Sequence, residues 1–580
     1  MVAKSAVNSL HRLYKSGGDE KKVSETLRGG DILVESLIDL GVDTIFGYPG
    51  GQIIDVYDSL WKYRDKINHV LTAHEQGAAH AADGYARATG KCGVVFATSG
   101  PGATNLVTGI ATAFLDSVPL LAICGNVPTH QIGTDSFQEI DITGITLPIT
   151  KHNYFVTNVE DLAETIREAY ELAISGRPGP VLVDIPKDVQ QALLEFDGIE
   201  PVKPAKNPEI DPELISHAVE LIDRCKRPYI YFGGGLISSN AQKELLEFAD
   251  KIDSPIGCSL MGISGLPDDS PRFLGFQGMH GHYASSLAMH HSDLVISLGV
   301  RFNDRTTGNR AKFAPTAQFI HIDIDPSELH KTINSLVGIT GDLKDALRKL
   351  TLSVESASHK DWNDFIEKQK KIEIENLDTR EGMTPRNILK VANEYVDDDV
   401  YVVTDVGQHQ MWAAQNFTFN SPRHFITSGG LGTMGFGLGA SIGTCLATDK
   451  RVLLVTGDGS FAMCCQELVT AVQQDIPLTI LILNNQVLGM VRQWQSLFFE
   501  KHYSNTVLEQ RATDFIALAK AYGADGETVR DLDSLDAAIK KSFEMKSPYI
   551  IEAFIDKDEL VLPMLPPGGS VDQIITKVGE

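Results

Sequence analysis

Short apolar runs rich in β-branched residues alternate with segments of helical period along nearly the whole chain. This alternation is typical of parallel sheets covered by helices, because the strands of such sheets are buried on both faces. The sequence therefore predicts an α/β fold made of doubly wound parallel-sheet domains. Strands are expected at TIFG, GVVFAT, PLLAIC, PVLVDIP, RPYIYFGGG, DLVISLG, QFIHIDID, VYVVTD, RVLLVTG, PLTILILNN and PYIIEAF.

These strands fall into three blocks, which suits a chain of 580 residues because a domain commonly contains about 100–200 residues. The stretch PVKPAKNPEIDPE, rich in Pro and Lys, predicts a linker after the first block, and a polar helical stretch follows the second. The predicted divisions are a polar N-terminal extension at 1–27, three domains at 28–200, 210–355 and 380–555, and an irregular tail at 556–580.

Net charge, apolar run length and cysteine spacing limit which partners the protein can bind and where in the cell it can work. A net charge of −25 argues against a nonspecific grip on nucleic acid or anionic lipid, since the surface repels both. The chain has no run of about 18 apolar residues, so no membrane-spanning helix is expected. The N-terminal extension lacks the apolar centre of a secretory signal, which leaves a disordered extension or a weak organellar leader. Seven cysteines without C-x-x-C spacing indicate a reduced, cytoplasmic protein.

One stretch, VTGDGSFAMCCQELVTAVQQDIPLTILILNNQ, places polar side chains at the ends of two predicted strands. Asp458 ends the first strand and Asn485 the second, and their separation of 27 positions fits one crossover helix. Ligands bind at the carboxyl ends of parallel strands, so the two side chains can converge on a hard cation such as Mg²⁺. Taken alone, G-D-G also fits a tight turn. Gly457 and Gly459 would let the backbone approach a ligand closely, and the next helix offers its N-terminus to phosphate.

This pattern resembles the thiamine diphosphate motif, in which G-D-G is followed one crossover later by N-N. The resemblance implies metal ligation by the side chains of Asp458 and Asn485 and by the backbone carbonyl of Val487. It also places Ser460, at the start of the crossover helix, with Gly457 and Gly459 in the cofactor site.

The segment LTAHEQGAAHAADGYARATG supplies the glutamate that a thiamine enzyme needs. A carboxylic acid bonded to the aminopyrimidine favours its reactive tautomer, and a partly dry pocket keeps such an acid protonated. Glu75 follows an apolar run and opens a helix of small residues, which can pack tightly against another surface. The alternative is that Glu75 only complements the dipole of that helix.

Two more stretches fit the same cofactor. SGGLGTMGFGLGAS at residues 428–441 suits backbone lying against a flat ring better than a buried strand or helix. The resemblance assigns Gly432 and Met434 to the aminopyrimidine, and it assigns Gln408 and His409, in TDVGQHQMW, to the diphosphate. An ordinary loop histidine is the alternative for His409.

A closer resemblance covers residues 28–570. The motifs GYPGG, HEQGAAHAADGYAR, TSGPGATN, IGTDSFQE, FAPTAQFIHIDIDP, SGGLGTMGFGLGA and LGMVRQWQ occur in the order found in catalytic subunits of the acetohydroxyacid synthase family, also called acetolactate synthases. That family decarboxylates pyruvate on thiamine diphosphate. It joins the two-carbon unit to pyruvate or 2-oxobutanoate. These two reactions are early steps toward the branched-chain amino acids.

The resemblance implies roles for several residues around the substrate. Arg305 would bind the carboxylate of the second keto acid, which an arginine fork suits. Trp494 would form an apolar wall that prefers ethyl over methyl, although one methylene is worth only about 1–3 kcal/mol. Positions that match the substrate channel or lie beside the thiazolium are Gly51, Phe137, Gln138 and Lys151. A plain structural contact is the alternative for each of these four residues.

The resemblance also implies FAD in the middle domain, as in the biosynthetic branch of the family. A strand that runs into three glycines fits a nucleotide site, although a structural turn explains it as well. Asn303 departs from the usual R-F-D-D-R pattern, but asparagine is nearly isosteric with aspartate and the loop is expected to persist. The matching flavin positions are Arg177, Gly233, Gly234, Gly235, Gly278, His280, Gly281, Arg301, Asp304, Asp323 and Asp342.

Glu75 and Asp458 fall in different predicted domains, and in the family they meet across a dimer interface. The resemblance thus implies a homodimer or homotetramer, which a separate small regulatory subunit can join. Three alternatives remain: a catabolic acetolactate synthase without FAD, a pyruvate oxidase of the same fold, and a catalytically inactive binding subunit. Arg305 and Trp494 argue against the oxidase, and the intact metal and glutamate positions argue against the inactive subunit.

Overall fold

The computed structural model describes residues 24–202, 206–511 and 513–577. Most of the predicted N-terminal extension and small parts of the predicted linker and tail lie outside these residues. The predicted fold class is confirmed, because the chain forms three six-stranded sheets in which neighbouring strands are parallel. Within the described ranges, none of the helices combines the length and apolar character that a membrane crossing requires.

The first domain is a parallel sheet with an antiparallel ribbon of two short strands beside it. Its strands are β1 (Glu25–Arg28), β2 (Thr44–Gly47), β3 (Asn68–Leu71), β4 (Gly93–Ala97), β5 (Leu120–Asn126), β6 (His152–Phe155), β7 (Pro180–Pro186) and β8 (Leu193–Phe196). Its helices are α1 (Gly29–Asp39), α2 (Ile54–Lys62), α3 (Glu75–Thr89), α4 (Pro101–Asn105), α5 (Val107–Asp116), α6 (Ile142–Thr146), α7 (Leu162–Ile174) and α8 (Lys187–Gln191). The sheet order is β3-β2-β4-β5-β7-β6, and β1 pairs with β8.

The middle domain begins after an irregular linker. Its strands are β9 (Pro228–Phe232), β10 (Ile256–Cys258), β11 (Phe273–Phe276), β12 (Leu294–Leu298), β13 (Gln318–Asp323) and β14 (Val337–Thr340). Its helices are α9 (Pro212–Ile222), α10 (Gly234–Ser239), α11 (Gln242–Lys251), α12 (Tyr283–His291), α13 (Asp304–Thr307), α14 (Leu343–Ser353) and α15 (Lys360–Glu375). The order β11-β10-β9-β12-β13-β14 is that of dinucleotide-binding folds, with the order reversing between β9 and β12.

The third domain repeats the strand order of the first. Its strands are β15 (Val400–Thr404), β16 (Phe425–Ile426), β17 (Arg451–Gly457), β18 (Leu478–Asn484), β19 (Asp525–Val529) and β20 (Tyr549–Phe554), in the order β16-β15-β17-β18-β20-β19. Its helices are α16 (Pro385–Asn393), α17 (Gln408–Asn416), α18 (Phe436–Thr448), α19 (Asp458–Cys464), α20 (Leu468–Gln473), α21 (Gly489–Phe498), α22 (Phe515–Tyr522) and α23 (Leu532–Glu544). In both end domains the order reverses beside the first strand of the sheet.

Two helices of small residues hold the end domains together. On α3, a Cβ added to Gly84 would lie 2.1 Å from the carbonyl oxygen of Ala440 on α18. In return, a Cβ added to Gly443 would lie 1.8 Å from the carbonyl oxygen of Ala81. The two backbones are therefore in direct contact, which confirms the prediction that the small residues of α3 allow tight packing against another surface.

Candidate active site and cofactor cleft

The ends of β17 and β18 bring the predicted metal residues together, because the two strands are neighbours in the sheet. Asp458 directly follows β17 and Asn485 directly follows β18. The side-chain oxygen of Asn485 accepts a hydrogen bond from the Val487 amide at 3.2 Å. Burial raises the pKa of the Asp458 carboxyl to about 6. A cation bound beside it would oppose this effect, because a nearby positive charge favours the ionised form.

The possible metal donors at the ends of β17 and β18 are of different chemical types. The part of the chain that the structure describes holds no cluster of three or more His, Cys, Asp or Glu able to bind a metal. A cation here would depend on one carboxylate, one amide oxygen and backbone carbonyls. Such oxygen donors suit Mg²⁺, which keeps waters or phosphate oxygens for its other positions.

Beside these donors, Gln408 and His409 begin α17 and are both buried. Gln408 accepts a hydrogen bond from the side-chain amide of Asn485 at 3.3 Å and donates to the carbonyl of Glu559 at 2.7 Å. Burial lowers the pKa of His409 to about 3, so its ring is neutral. Among the described residues, His409 Nε2 has no hydrogen-bond partner. A Cβ added to Gly457 would lie 2.9 Å from Nδ1 of that ring.

Asp405, which follows β15, ties the loops of this site to one another. Its carboxylate accepts hydrogen bonds from the hydroxyl of Ser460 at 2.6 Å and from the amide of Gly435 at 2.8 Å. Residues from the ends of two neighbouring strands and from the glycine-rich stretch therefore share one acceptor. Sequence reasoning did not single out Asp405, although an acid directly after a predicted strand is a usable signal.

The glycine-rich stretch is held by the first domain. The backbone amides of Gly429 and Gly430 donate to the carboxylate of Asp116, at 3.0 and 2.7 Å. Beyond this anchor, Gly432 adopts a φ of +70°, which favours glycine, and only Val406 lies within 4 Å of the place that a Cβ would take. The backbone at Gly432 is thus open to a ligand, as the resemblance implies.

A large cleft with a volume of about 1360 Å³ is lined by residues of all three domains. It contains the loops after β9 and β12, where the strand order reverses, and nucleotides bind at such switch points. Gly432 and Met434 also line the cleft. The predicted flavin positions that line it are Arg177, Gly233, Gly234, Gly235, Gly278, His280, Arg301, Asp323 and Asp342.

Charged groups in the middle-domain part of the cleft are held in place by other domains and loops. Arg301 donates to the backbone carbonyl of Leu115, and burial lowers the pKa of its guanidinium. Arg177 donates to the carboxylate of Glu328 at 2.7 Å. Burial also raises the pKa of Asp323 to about 6. Two arginines and a partly desolvated acid on one wall fit a ligand that carries both phosphate and hydroxyl groups.

Arg305 and Trp494 lie together in the same cleft. The guanidinium carbon of Arg305 is 5.5 Å from the centroid of the Trp494 ring, and both residues line the cleft that holds Met434. The loop expected around Asn303 is formed, because its side chain accepts a hydrogen bond from the Thr306 amide at 3.0 Å and caps α13. Asparagine thus provides the acceptor that the usual aspartate would provide.

Glu75 lies apart from this cleft, in the first domain. It is buried at the start of α3, and its carboxylate accepts a hydrogen bond from the side-chain amide of Asn105 at 2.9 Å. A Cβ added to Gly102 would lie 3.2 Å from the other oxygen of Glu75. Asn105 and Gly102 belong to the quoted motif TSGPGATN, but no local pattern pointed to their contact with Glu75.

Three more predicted residues, Gly51, Phe137 and Gln138, also lie in the first domain. The side chain of Phe137 is 82% exposed, and an added Cβ on Gly51 would meet open space. Gln138 adopts a φ of +65° and packs against Gly100. These residues and Glu75 are absent from the lining of the large cleft within their own chain.

Three predicted positions lie elsewhere. The Lys151 ammonium donates to the carbonyls of Leu172 and Ser175 at the end of α7, and burial lowers its pKa to about 8. Asp304 is exposed on α13, with its carboxylate 3.8 Å from the guanidinium of Arg305. Gly281 packs under the turn that follows β11. None of these three lines the large cleft.

Comparison with known families matches each domain separately. The N-terminal TPP binding domain of thiamine pyrophosphate enzymes matches residues 27–145, the central domain of these enzymes matches 215–350, and their C-terminal TPP binding domain matches 405–553. Together these segments cover more than half of the chain.

Relatives match along almost the full length. The chain is 44% identical over 572 residues to the acetolactate synthase large subunit of Corynebacterium glutamicum, covering 96% of this chain and 91% of that protein. It is 41% identical over 568 residues to the acetolactate synthase isozyme 3 large subunit of Escherichia coli, covering 95% and 98%. It is 42% identical over 569 residues to a probable acetolactate synthase large subunit of Methanocaldococcus jannaschii, covering 95% and 96%.

The chain belongs to the acetolactate synthase large-subunit family of thiamine pyrophosphate enzymes.

The residues at the β17 and β18 ends fit the cofactor of this family. The unpartnered Nε2 of His409 is a neutral buried group that can bond a diphosphate oxygen, and a cation beside Asp458 would offset the cost of burying its carboxylate. Gly432 leaves its backbone accessible, whereas Gly457 makes room for the His409 ring. These features come from the third domain alone, whereas Glu75 lies in the first.

Proposed function

We propose that this protein is an acetolactate synthase. It would decarboxylate pyruvate and join the two-carbon unit to pyruvate, giving 2-acetolactate, or to 2-oxobutanoate, giving 2-aceto-2-hydroxybutanoate. The observation that carries the proposal is the pairing of Arg305 with Trp494 in the cleft that also holds Gly432 and Met434. Formation of acetolactate from pyruvate by the purified protein tests it, and the absence of any ligation product would contradict it.

In this proposal, the third domain binds the cofactor through a metal. Asp458, Asn485 and the carbonyl of Val487 would bind Mg²⁺, while Gln408 and His409 would contact the diphosphate. When bound, thiamine diphosphate supplies carbanion stabilisation for the decarboxylation and ligation of keto acids. The buried carboxyl of Glu75 would hold a proton for the aminopyrimidine.

Arg305 and Trp494 would select the second keto acid. The Arg305 guanidinium can bind the carboxylate that every such acceptor carries, because its fork matches two carboxylate oxygens. The Trp494 ring offers apolar surface at which the extra methylene of 2-oxobutanoate loses contact with water. The same ring faces Arg305, so one pair of side chains can set both the orientation and the preference of the acceptor.

Trp494→Leu is expected to reduce the preference for 2-oxobutanoate over pyruvate by about tenfold, since one methylene is worth about 1–3 kcal/mol. The ratio of the two products, measured with both acceptors present, checks this. Trp61→Leu, at a side chain that is 67% exposed in the first domain, is the matched control. An unchanged ratio in Trp494→Leu would remove this residue from acceptor selection.

We further propose that the middle-domain part of the cleft binds FAD. The strand order of dinucleotide-binding folds, the glycine loops at its switch point, and the two arginines support this assignment. A Cβ added to Gly233 would lie 2.5 Å from the carbonyl oxygen of Gly299, so the two loops touch through their backbones and leave the cleft open. No redox step is proposed for the flavin.

Arg301→Ala is expected to weaken FAD binding by about tenfold or more, because it removes a charged hydrogen-bond donor from a buried wall. Flavin absorbance retained after gel filtration and a titration with FAD measure this. Arg310→Ala, at an exposed arginine of the same domain, is the control. Protein that binds no FAD at all would favour the flavin-free catabolic branch.

A shared active site in a dimer fits the placement of Glu75 in the first domain and of Asp458 and Asn485 in the third, with none of the three lining the large cleft. Exposed apolar side chains flank both halves of the proposed site: Phe137 and Leu147 in the first domain, and Leu431 and Met463 in the third. Surfaces of this kind are typical of protein interfaces. We therefore propose that Glu75 of one chain completes the cofactor site of a second copy, in a homodimer or homotetramer.

A mixture of Glu75→Gln and Asp458→Ala subunits is expected to recover about a quarter of wild-type activity. Half of randomly formed dimers are mixed, and one of the two sites in each mixed dimer is intact. Co-production with two affinity tags allows the mixed dimers to be isolated and assayed. A mixture of Asp458→Ala with Asn485→Ala, which damage the same half-site, should stay inactive. No recovery in the first mixture would mean that the site lies within one chain.

Two proposals concern partners and compartment. The relatives are named as large subunits, and we propose that a separate small regulatory subunit can bind this chain as well. All seven cysteines are free, which supports a reducing, cytoplasmic compartment.

A further inference from the structure

Glu467 is a buried glutamate that reaches from the third domain to the start of α3. It lies in the short turn after α19, and its side chain has no exposed surface. One carboxylate oxygen accepts hydrogen bonds from the backbone amide of Ala73, at 3.1 Å, and from the hydroxyl of Thr470, at 2.8 Å. The backbone amide of His74 also bonds to this carboxylate and lowers its pKa, although burial raises the pKa overall.

A glycine of α3 makes room for the Glu467 carboxylate. A Cβ added to Gly77 would lie 2.2 Å from Oε1 of Glu467, so the carboxylate occupies the space that a side chain would take. Within the described ranges, this oxygen has no hydrogen-bond partner. Burying a carboxylate with only one of its oxygens hydrogen-bonded costs free energy. The amino end of α3 offsets part of this cost, because the helix dipole favours a negative charge there.

The amides that Glu467 holds directly precede Glu75. Because Glu75 is the first residue of α3, fixing Ala73 and His74 fixes the point from which the Glu75 side chain leaves the backbone. The other observed support of Glu75 is the hydrogen bond from Asn105 to its carboxylate. Asn105 acts on the carboxylate itself, whereas the hydrogen bonds of Glu467 to this segment act on the backbone. The Glu75 carboxyl also raises the pKa of Glu467, so the two acids interact electrostatically as well.

We propose that Glu467 is a positioning residue for Glu75, acting across the domain boundary by clamping the start of α3. The inference rests on the proposed function, since it assumes that Glu75 assists the thiamine cofactor. Glu467 touches neither substrate nor cofactor in this account. Its effect is to keep the Glu75 carboxyl at a constant place and angle.

The test is the rate at which the C2 proton of bound thiamine diphosphate exchanges with deuterium, measured by acid quench and NMR on cofactor-saturated protein. This rate depends on Glu75 and does not require turnover of pyruvate. Glu467→Ala is expected to slow exchange by about tenfold to a hundredfold, because small misplacement of a reacting group has effects of that size. Glu467→Gln keeps an acceptor for the Ala73 amide and is expected to stay within a few fold of wild type.

Glu244→Gln and Glu244→Ala are the matched controls, because Glu244 is also a buried glutamate with one unpartnered oxygen among the described residues, but lies in the middle domain. A lower melting temperature in Glu467→Ala with an unchanged exchange rate would make the residue merely structural and overturn the proposal. Equal slowing in Glu467→Gln and Glu467→Ala would also contradict positioning through hydrogen bonds.

A second variant keeps the inference testable if Glu467→Ala does not fold. Gly77→Ala should displace the carboxylate and slow exchange, and the three atoms nearest to its new methyl group all belong to Glu467. The double variant Gly77→Ala/Glu467→Ala should then be no slower than the slower single variant, as expected for residues in contact. Additive losses would contradict the clamp. Wild-type protein that neither exchanges C2 nor forms acetolactate would instead contradict the proposed function.

Discussion

Glu75→Gln is expected to lower the rate of acetolactate formation by about 10²–10⁴-fold, the usual contribution of a positioned proton-transfer group. Glutamine has nearly the same shape, so the fold should persist, but it cannot hold and release a proton at the aminopyrimidine. Binding of thiamine diphosphate and Mg²⁺ should stay near that of wild type, because the metal and diphosphate residues lie in the third domain.

Steady-state assay of acetolactate, together with cofactor titration by calorimetry, measures both quantities for Glu75→Gln. Glu168→Gln changes an exposed glutamate of the same domain and should keep wild-type rates. A Glu75→Gln protein with more than a tenth of wild-type activity would leave Glu75 with only the helix-dipole role that its position at the start of α3 also permits.

Asp458→Ala is expected to abolish Mg²⁺-dependent binding of thiamine diphosphate. The described part of the chain provides no cluster of acids or histidines that could replace this carboxylate. With ligand at 100 to 1,000 times its dissociation constant, binding should stabilise wild-type protein by about 2.7–4.1 kcal/mol. In Asp458→Ala that stabilisation should be lost, while the unliganded variant is not destabilised, since it no longer buries a carboxyl whose ionised form burial disfavours.

Thermal unfolding with and without cofactor and metal measures this difference, and addition of a chelator to wild-type protein should remove the same increment. Asp533→Ala, at an exposed aspartate in the same domain, should respond to cofactor as wild type does. An undiminished cofactor-induced shift in Asp458→Ala would place the metal elsewhere.

The central strands could be predicted from the sequence because they are buried along their whole length. β5 and β18, for example, are buried at every position and appear in the sequence as mainly apolar runs. The edge strands could not be predicted in this way. β19 has the sequence DGETV, of which only the last residue is buried, while β16 contains only two residues, so neither shows a pattern that differs from a loop.

The same distinction holds for the site. Asp458 and Asn485 could be predicted as neighbours because one crossover separates two adjacent parallel strands. The contacts of Asp116 with Gly430 and of Glu467 with Ala73 join residues that are 314 and 394 positions apart. They depend on how the domains pack, and no spacing in the sequence carries that information. A channel role for Lys151 stays a prediction, and its ammonium is bonded to the end of α7 within its own chain.

Product analysis in a mixed reaction tests the proposed acetolactate synthase activity most directly. Purified protein is incubated with thiamine diphosphate, Mg²⁺, FAD and pyruvate, with and without an equimolar amount of 2-oxobutanoate. We expect 2-acetolactate from pyruvate alone and mainly 2-aceto-2-hydroxybutanoate in the mixture, with that preference reduced in Trp494→Leu. Acetolactate alone, unaffected by 2-oxobutanoate or by omission of FAD, would contradict the biosynthetic assignment, and no ligation product at all would contradict the account as a whole.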